Sequence, residues 1–184
     1  MQPTLTTERL TLRPFTLADA ADLQRLAGDA RIADTTMSIP HPYPEGAAEA
    51  WIASLADSLA TRRELVFALV ETRSALLVGT AALLDISEQH ARAELGYWVG
   101  VDHWSKGFGT EAALRLIQLA HQDLGVTRIV ARCFARNTAS ARVMEKIGLR
   151  REGCFVQDVQ KNGRYEDVLF YGLVLPGRSE KGGG

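Results

Sequence analysis

The sequence holds only two cysteines, Cys133 and Cys154, and only four histidines. Neither cysteine has a companion at metal-ligand spacing, and the histidines are too sparse to supply one. Metal is therefore not expected. Both cysteines read as buried free thiols, which suits a reducing compartment. Long hydrophobic runs are also missing. The longest, Ala75 to Leu84, is interrupted by Gly79 and Thr80 and is too short to cross a bilayer. No apolar run follows a basic start at the amino end, so no secretory signal is read there. Neither sign of charge dominates: 21 Lys and Arg face 22 Asp and Glu, a net charge of −1. A global basic footprint for nucleic acid is absent. The expectation is a cytoplasmic protein with neither a membrane nor a nucleic acid as partner.

What is present is an ordinary globular composition, 46% hydrophobic and 23% charged over 184 residues. That is enough chain for one well-cored domain. No internal repeat is visible. A single domain over residues 1–178 is expected, followed by a polar, glycine-rich and flexible tail, 179–184.

One stretch organises the chain. Leu95, Tyr97 and Val99 alternate with Glu94, Gly96 and Trp98, the period-2 pattern of a strand. From Thr110 the period changes: Ala113, Leu116, Ile117, Ala120 and Leu124 fall on one helical face. Between them lies Trp104-Ser105-Lys106-Gly107-Phe108-Gly109. Glycines where a helix begins let the backbone approach a ligand, and the first-turn amides have no partner inside the helix. With the helix dipole behind them they suit a phosphate or diphosphate, and Lys106 adds a mobile cation. The bland alternative is a tight turn that packs helix on sheet. A P-loop is excluded, because its four-residue glycine spacing and Gly-Lys-Ser/Thr ending are missing. Gly107-x-Gly109-x-x-Ala112 fits the looser dinucleotide fingerprint, but seven residues separate Val99 from Gly107. The next strand also offers Arg132, Cys133 and Arg136 where that fingerprint wants an acid. What survives, beside the tight turn, is a cradle for a phosphate or diphosphate of another kind.

The rest of the chain reads in order. Leu10 and Leu12 alternate in a first strand, and Thr16 or Asp19 opens a helix that Gly28 ends. Ile39 to Pro44 carries three prolines and reads as a stiff loop before a helix over 45–61. Val66, Ala68 and Val70 form a second strand. Leu76 to Ile86 forms a third, with Gly79 as a bulge site. With the strand at Glu94 these form an antiparallel meander. Ile129, Ala131 and Cys133 form a fifth strand, parallel to the fourth through a right-handed helical crossover. Asn137 to Ile147 is a short helix with Asn137 as its N-cap. Leu149–Val159 and Tyr165–Leu175 are late strands joined across Asn162-Gly163, a strong hairpin signal.

Three segments together resemble the GNAT acetyltransferases of the RimJ/RimL type. These are the Gly96-Tyr97-Trp98 strand with its Trp104 to Ala112 turn, Asn137-Thr138-Ala139-Ser140, and Glu145-Lys146-Ile147-Gly148. The opening Thr7-Glu8-Arg9-Leu10 with Leu12-Arg13-Pro14 resembles the same family, so the likeness covers nearly the whole chain. It implies an α/β (mixed α+β) fold. A central mixed, mostly antiparallel sheet of about seven strands is flanked by helices, with a splay between the fourth and fifth strands. It implies acetyl-CoA as cosubstrate, its acyl arm lying in the splay against the backbone of Trp98 and Val99. Ser105, Lys106, Gly107, Phe108, Gly109 and Thr110 would hold the diphosphate.

The implied activity is N-acetyl transfer to a small-molecule or peptide amine. The alternative is a catalytically silent acyl-CoA-binding sensor. Many family members place a tyrosine seven residues after the asparagine; Met144 stands there and cannot donate a proton. Ser140 is the implied hydrogen-bond donor to the leaving thiolate, and ordinary helix filler is its alternative. Asn137 would contact the coenzyme or the substrate carbonyl. Glu94 is the candidate base, with a structural pairing to an arginine as its alternative. Asp158 or Glu152 acting through water is a further possibility. His41 and Tyr43, on the proline-rich loop, are candidates for the acceptor wall against simple loop packing. Monomer and homodimer are both open, since the late hairpin can pair edge to edge.

Overall fold

Leu10, Leu12, Phe67, Leu69, Leu83, Leu95 and Ile129 all point to one face of a single sheet and are almost wholly buried. Each such side chain contributes roughly 1.5–3 kcal/mol on leaving water. The computed structural model describes residues 2–61 and 63–177, with the side chains of Ser58 and Ala60 also left aside. The expected tail, 179–184, lies outside the described residues.

The elements follow one another as β1 (Leu5–Thr6), β2 (Leu10–Arg13), α1 (Ala20–Ala27), α2 (Ala30–Thr35), α3 (Ala47–Ala60), β3 (Leu65–Glu71) and β4 (Leu77–Ser87). Then come β5 (Arg92–Val99), α4 (Phe108–Gln122), β6 (Arg128–Phe134), α5 (Thr138–Lys146), β7 (Arg150–Lys161) and β8 (Arg164–Val174). Among the described residues the strands form one eight-stranded sheet in the order β1-β2-β3-β4-β5-β6-β8-β7. The mixed class expected from sequence is the one observed. The count is eight and not about seven because Leu5–Thr6 adds a two-residue strand beside β2.

Every pairing is antiparallel except that of β5 with β6. That parallel pair has only three rungs: Arg92 with Arg128, Ala93 with Ile129 and Glu94 with Val130. Beyond Glu94 the strands part, which is the expected splay. Helix α4 crosses from β5 to β6 over one face, burying Ala113, Leu116, Ile117 and Ala120 as its period requires. Leu124 departs from that stripe. The helix ends at Gln122, and Leu124 is left 38% exposed in the turn beyond it.

The other face is covered over β3 and β4 by α1 and α3, around Ala68 and Leu77. Helix α1 starts where expected, and its anchor is an ion pair. Arg13 donates two hydrogen bonds to Asp19, at 2.8 and 2.7 Å, and Asp19 also accepts from the Thr16 amide. Gly79 sits beside a register shift in β3–β4, as foreseen. A Cβ there would stand 2.3 Å from the Trp98 carbonyl oxygen, so only glycine lets β4 and β5 close up. The β7–β8 hairpin turns at Asn162 and Gly163, both with positive φ.

Candidate active site

The loop between β5 and α4 has two left-handed residues, Ser105 at φ 60° and Gly107 at φ 83°. They turn the chain so that α4 begins at Phe108 without any side-chain cap, and the first helical bond is the Glu111 amide donating to the Gly107 carbonyl at 3.1 Å. The amides of Phe108, Gly109 and Thr110 are therefore the orphan donors of the first turn. They are free to meet an anion at the positive end of a helix of 15 residues. Ser105 and Lys106 are exposed at its rim, while the Phe108 ring is buried and contributes backbone alone. The fit to a diphosphate is that of amides, dipole and cation converging on one open spot.

A residue with no role assigned from sequence holds this loop from behind. Arg9 donates from Nη1 to the Lys106 carbonyl at 2.8 Å and from Nε to Glu111 at 2.7 Å, and its guanidinium lies 5.1 Å from the Phe108 ring centroid. Glu111 also accepts from the Arg9 amide and the Thr7 hydroxyl. Burial pushes its carboxyl up, but the bonds from Thr7 and Arg9 outweigh this and hold it below its usual range. Thr7-Glu8-Arg9 was visible as a family likeness; its contact with a loop about a hundred residues away was not.

Strand parity decides which backbone groups face the splay. The Gly100 amide donates to Val78 in β4, and the Ala91 carbonyl accepts from Thr127 and Arg128 beside β6. Even-numbered residues of β5 thus turn their amides to β4, and odd-numbered ones turn theirs to the splay. By this parity the amides of Tyr97 and Val99 turn to the splay, while that of Trp98, opposite Thr80, turns to β4. The Val99 carbonyl accepts from Trp104 Nε1 at 2.6 Å.

Tyr97 shares its hydroxyl with the candidate donor. Its Oη lies 3.0 Å from Ser140 Oγ and 3.1 Å from the Ser140 carbonyl. Burial keeps the phenol protonated by pushing it well above its usual range, with the Ser140 bond acting against this. Nearby Cys133 is likewise pushed up, to about 11, by burial. Asn137 is the N-cap of α5: its Oδ1 accepts from the Ser140 amide at 3.0 Å, and its Nδ2 donates to the Thr35 carbonyl at 3.3 Å.

Glu94 stands on the last rung of the β5–β6 pair and points to the face opposite α4. Its Oε1 accepts from Arg132 Nε at 2.9 Å, and its side chain is 12% exposed. The arginine pairing considered from sequence is therefore real. It occupies one carboxylate oxygen; Oε2 has no hydrogen-bond partner among the described residues. Ser140 and Glu94 thus lie on opposite faces of the sheet with the splay between them. Glu152 is bound to Arg128 at 2.7 Å and lines the same open concavity of about 400 Å³ as Glu94, Arg132, Arg92 and Asp85. Asp158 is exposed on a bulge of β7 and does not reach that lining.

The proline-rich loop is pinned on several sides. Gln24 donates to the Pro44 carbonyl at 2.8 Å, and the Lys161 ammonium donates to the carbonyls of Met37 and Ile39. Arg136 grips Asp34 at 2.7 Å and Glu166 at 3.0 Å while lying over Phe134. Tyr43 packs with Trp98 against the α1–α3 cluster, while His41 is exposed. Among the described residues no three His, Cys, Asp or Glu side chains gather to hold a metal, and no helix is long and apolar enough to cross a membrane.

A parallel pair parted over half its length, with an anion cradle heading the crossover helix, defines an acyl-coenzyme A transferase scaffold. The chain belongs to the GNAT acetyltransferases: the model of the "Acetyltransferase (GNAT) domain" matches residues 9–150. It is 30% identical over 93% of its length, and 96% of the relative's, to p20, an uncharacterised N-acetyltransferase of Bacillus licheniformis. It is 26% identical to the spermidine N(1)-acetyltransferase of Vibrio cholerae over 87% of this chain and 90% of the relative. Among solved structures, the fold is shared with RimL, the ribosomal L7/L12 α-N-protein acetyltransferase in complex with coenzyme A. The TM-score is 0.85 at 18% identity, over 94% of this chain and 98% of the other. The protein is an acetyl-CoA-dependent N-acetyltransferase of the GNAT family.

Proposed function

We propose that the acceptor is a primary amine, on a small molecule or at a protein N-terminus, and that it attacks the thioester directly. The observation that carries this reading is the placement of Glu94 and Ser140 on opposite faces at the point where β5 and β6 part. An amine entering from the Glu94 face loses its proton to Oε2, directly or through a water, and its lone pair attacks the acetyl carbon. A backbone amide of the splayed edge of β5 stabilises the oxyanion, a contribution commonly worth ~3 kcal/mol. The carbon–sulfur bond breaks toward α5, where the Ser140 hydroxyl, itself hydrogen-bonded to Tyr97, donates to the thiolate. Ser105 to Thr110 hold the diphosphate. Trp98 and Tyr43 wall the acceptor side, and His41 borders it from the loop. The relatives support an amine acceptor without choosing one: one of them is a spermidine acetyltransferase, and another, of Escherichia coli, a ribosomal-protein-serine acetyltransferase.

Thiol release from acetyl-CoA against a panel of amines tests the reading. Turnover that needs both an amine and acetyl-CoA is expected. Saturable acetyl-CoA binding with no turnover on any amine would leave the silent sensor as the better description.

A further inference from the structure

The concavity beside Glu94 has a charge pattern of which the transfer reaction uses Glu94 alone. Six ionic side chains line it: Arg92, Arg128 and Arg132 against Asp85, Glu94 and Glu152. Four of them are already spent on each other, as Arg132 with Glu94 and Arg128 with Glu152. Among the described residues Arg92 and Asp85 have no ionic partner. Arg92 is moreover directly opposite Arg128 in the parallel register. Two like charges across a rung oppose each other, and here only one of the two is answered by a carboxylate.

From this pattern we infer that the acceptor is a primary amine carrying a carboxylate a few bonds away, an amino-acid-like zwitterion, with Arg92 as the residue that selects it. The inference rests on the amine-transfer reading above and narrows its substrate. The order along the sheet fits. Glu94 stands at the edge of the splay, and Arg92 lies two residues farther from it on the same face, roughly 6.6 Å along the strand. An amine beside Glu94 thus leaves its carboxylate between Arg92 and Arg128, where it removes the like-charge opposition and is held by a charge-assisted pair. Asp85, presented from the bulge between Leu84 and Ser87, balances the ammonium on arrival. Val130 and Phe170 give an apolar wall for the remaining side chain. A polyamine lacks the anion that would answer Arg92, the arginine of the lining without an ionic partner among the described residues.

The test compares free glutamate, methionine and phenylalanine with their α-carboxamides and with spermidine, as acceptors in the thiol-release assay. Expected is a kcat/KM at least ~10-fold higher for one or more of the acids than for its amide, carried by KM. In Arg92→Gln that difference should collapse by a rise in KM for the acid, with Arg92→Lys restoring part of it. Acid and amide used equally well, or spermidine preferred, would overturn the inference while leaving the amine-transfer reading standing. Should no amine be turned over, that reading fails. Titration of glutamate into the coenzyme A-loaded protein then decides the pocket: saturable binding lost in Arg92→Gln upholds it, and no saturable binding overturns it.

Discussion

The two sides of the splay are built differently. On the proposed coenzyme side, α4 and α5 lie on a continuous apolar core, and the loop proposed to meet the diphosphate is shaped by two left-handed residues and one arginine clamp. On the acceptor side, the packing cluster is small and the space around Glu94 is walled by paired and unpaired charges. Backbone geometry serves a ligand that never changes. In the proposed reading side-chain charge serves the acceptor, and acceptors differ among this chain's relatives, one named a spermidine and another a ribosomal-protein-serine acetyltransferase. A fold can thus keep its donor fixed and retune its acceptor without disturbing the core.

The largest expected effect should fall on chemistry alone. Glu94→Gln is expected to lower kcat by roughly 10²–10⁴-fold while acetyl-CoA affinity stays within a factor of about two. Steady-state rates beside equilibrium titration check it. An unchanged kcat would move the base off β5 and blur the division between the sides.

Next comes the cradle. Gly107→Val forces a branched residue to φ 83° and drives its Cβ toward Arg9, 3.3 Å away. Acetyl-CoA should bind about 10–100-fold more weakly. Gly109→Ala adds a Cβ at an ordinary 3.5 Å from Tyr97, and a change under about threefold is expected. Calorimetric titration of both variants reads the contrast; equal losses would show that shape at Gly107 is not what binds the anion.

The smallest effect is on stability. Burial pushes Asp19 up, but the Arg13 and Thr16 bonds outweigh it and hold the carboxyl below its usual range. Glu111 behaves likewise on the coenzyme side. A depressed carboxylate stabilises the fold above its unfolded pKa, and that contribution is lost as pH falls through the folded value. Melting temperature should therefore drop on acidification below about pH 4. Asp19→Asn should cost about 1–2 kcal/mol at neutral pH and flatten part of the acid loss. Denaturant melts across pH give both numbers.

Much of the coenzyme side was legible in the sequence because its signals are local. The change of period at Thr110, the glycines before it, the N-cap Asn137 and the Asn162-Gly163 turn all act within a few residues. Helix α2 was not read: six residues give too short a period, and Asp29 caps it by accepting from the Arg31 amide. The two residues of β1 give still less. Arg9, Tyr97 and the charged concavity escaped for a different reason. Their meaning lies in partners far along the chain, Lys106, Ser140 and the arginines of β6, which no local pattern announces. The place of Trp98 at the splay rested on the family likeness, since alternation shows which residues share a face but not which way their amides turn.

The parting of β5 from β6 has a practical side. Beyond Glu94 and Val130 it leaves the facing edges of two strands without a ladder between them. Whatever enters must look like a strand before it looks like a nucleotide. If the acyl arm pairs with this edge as proposed, short peptidomimetics with an extended amide backbone are expected to compete with acetyl-CoA even without a phosphate.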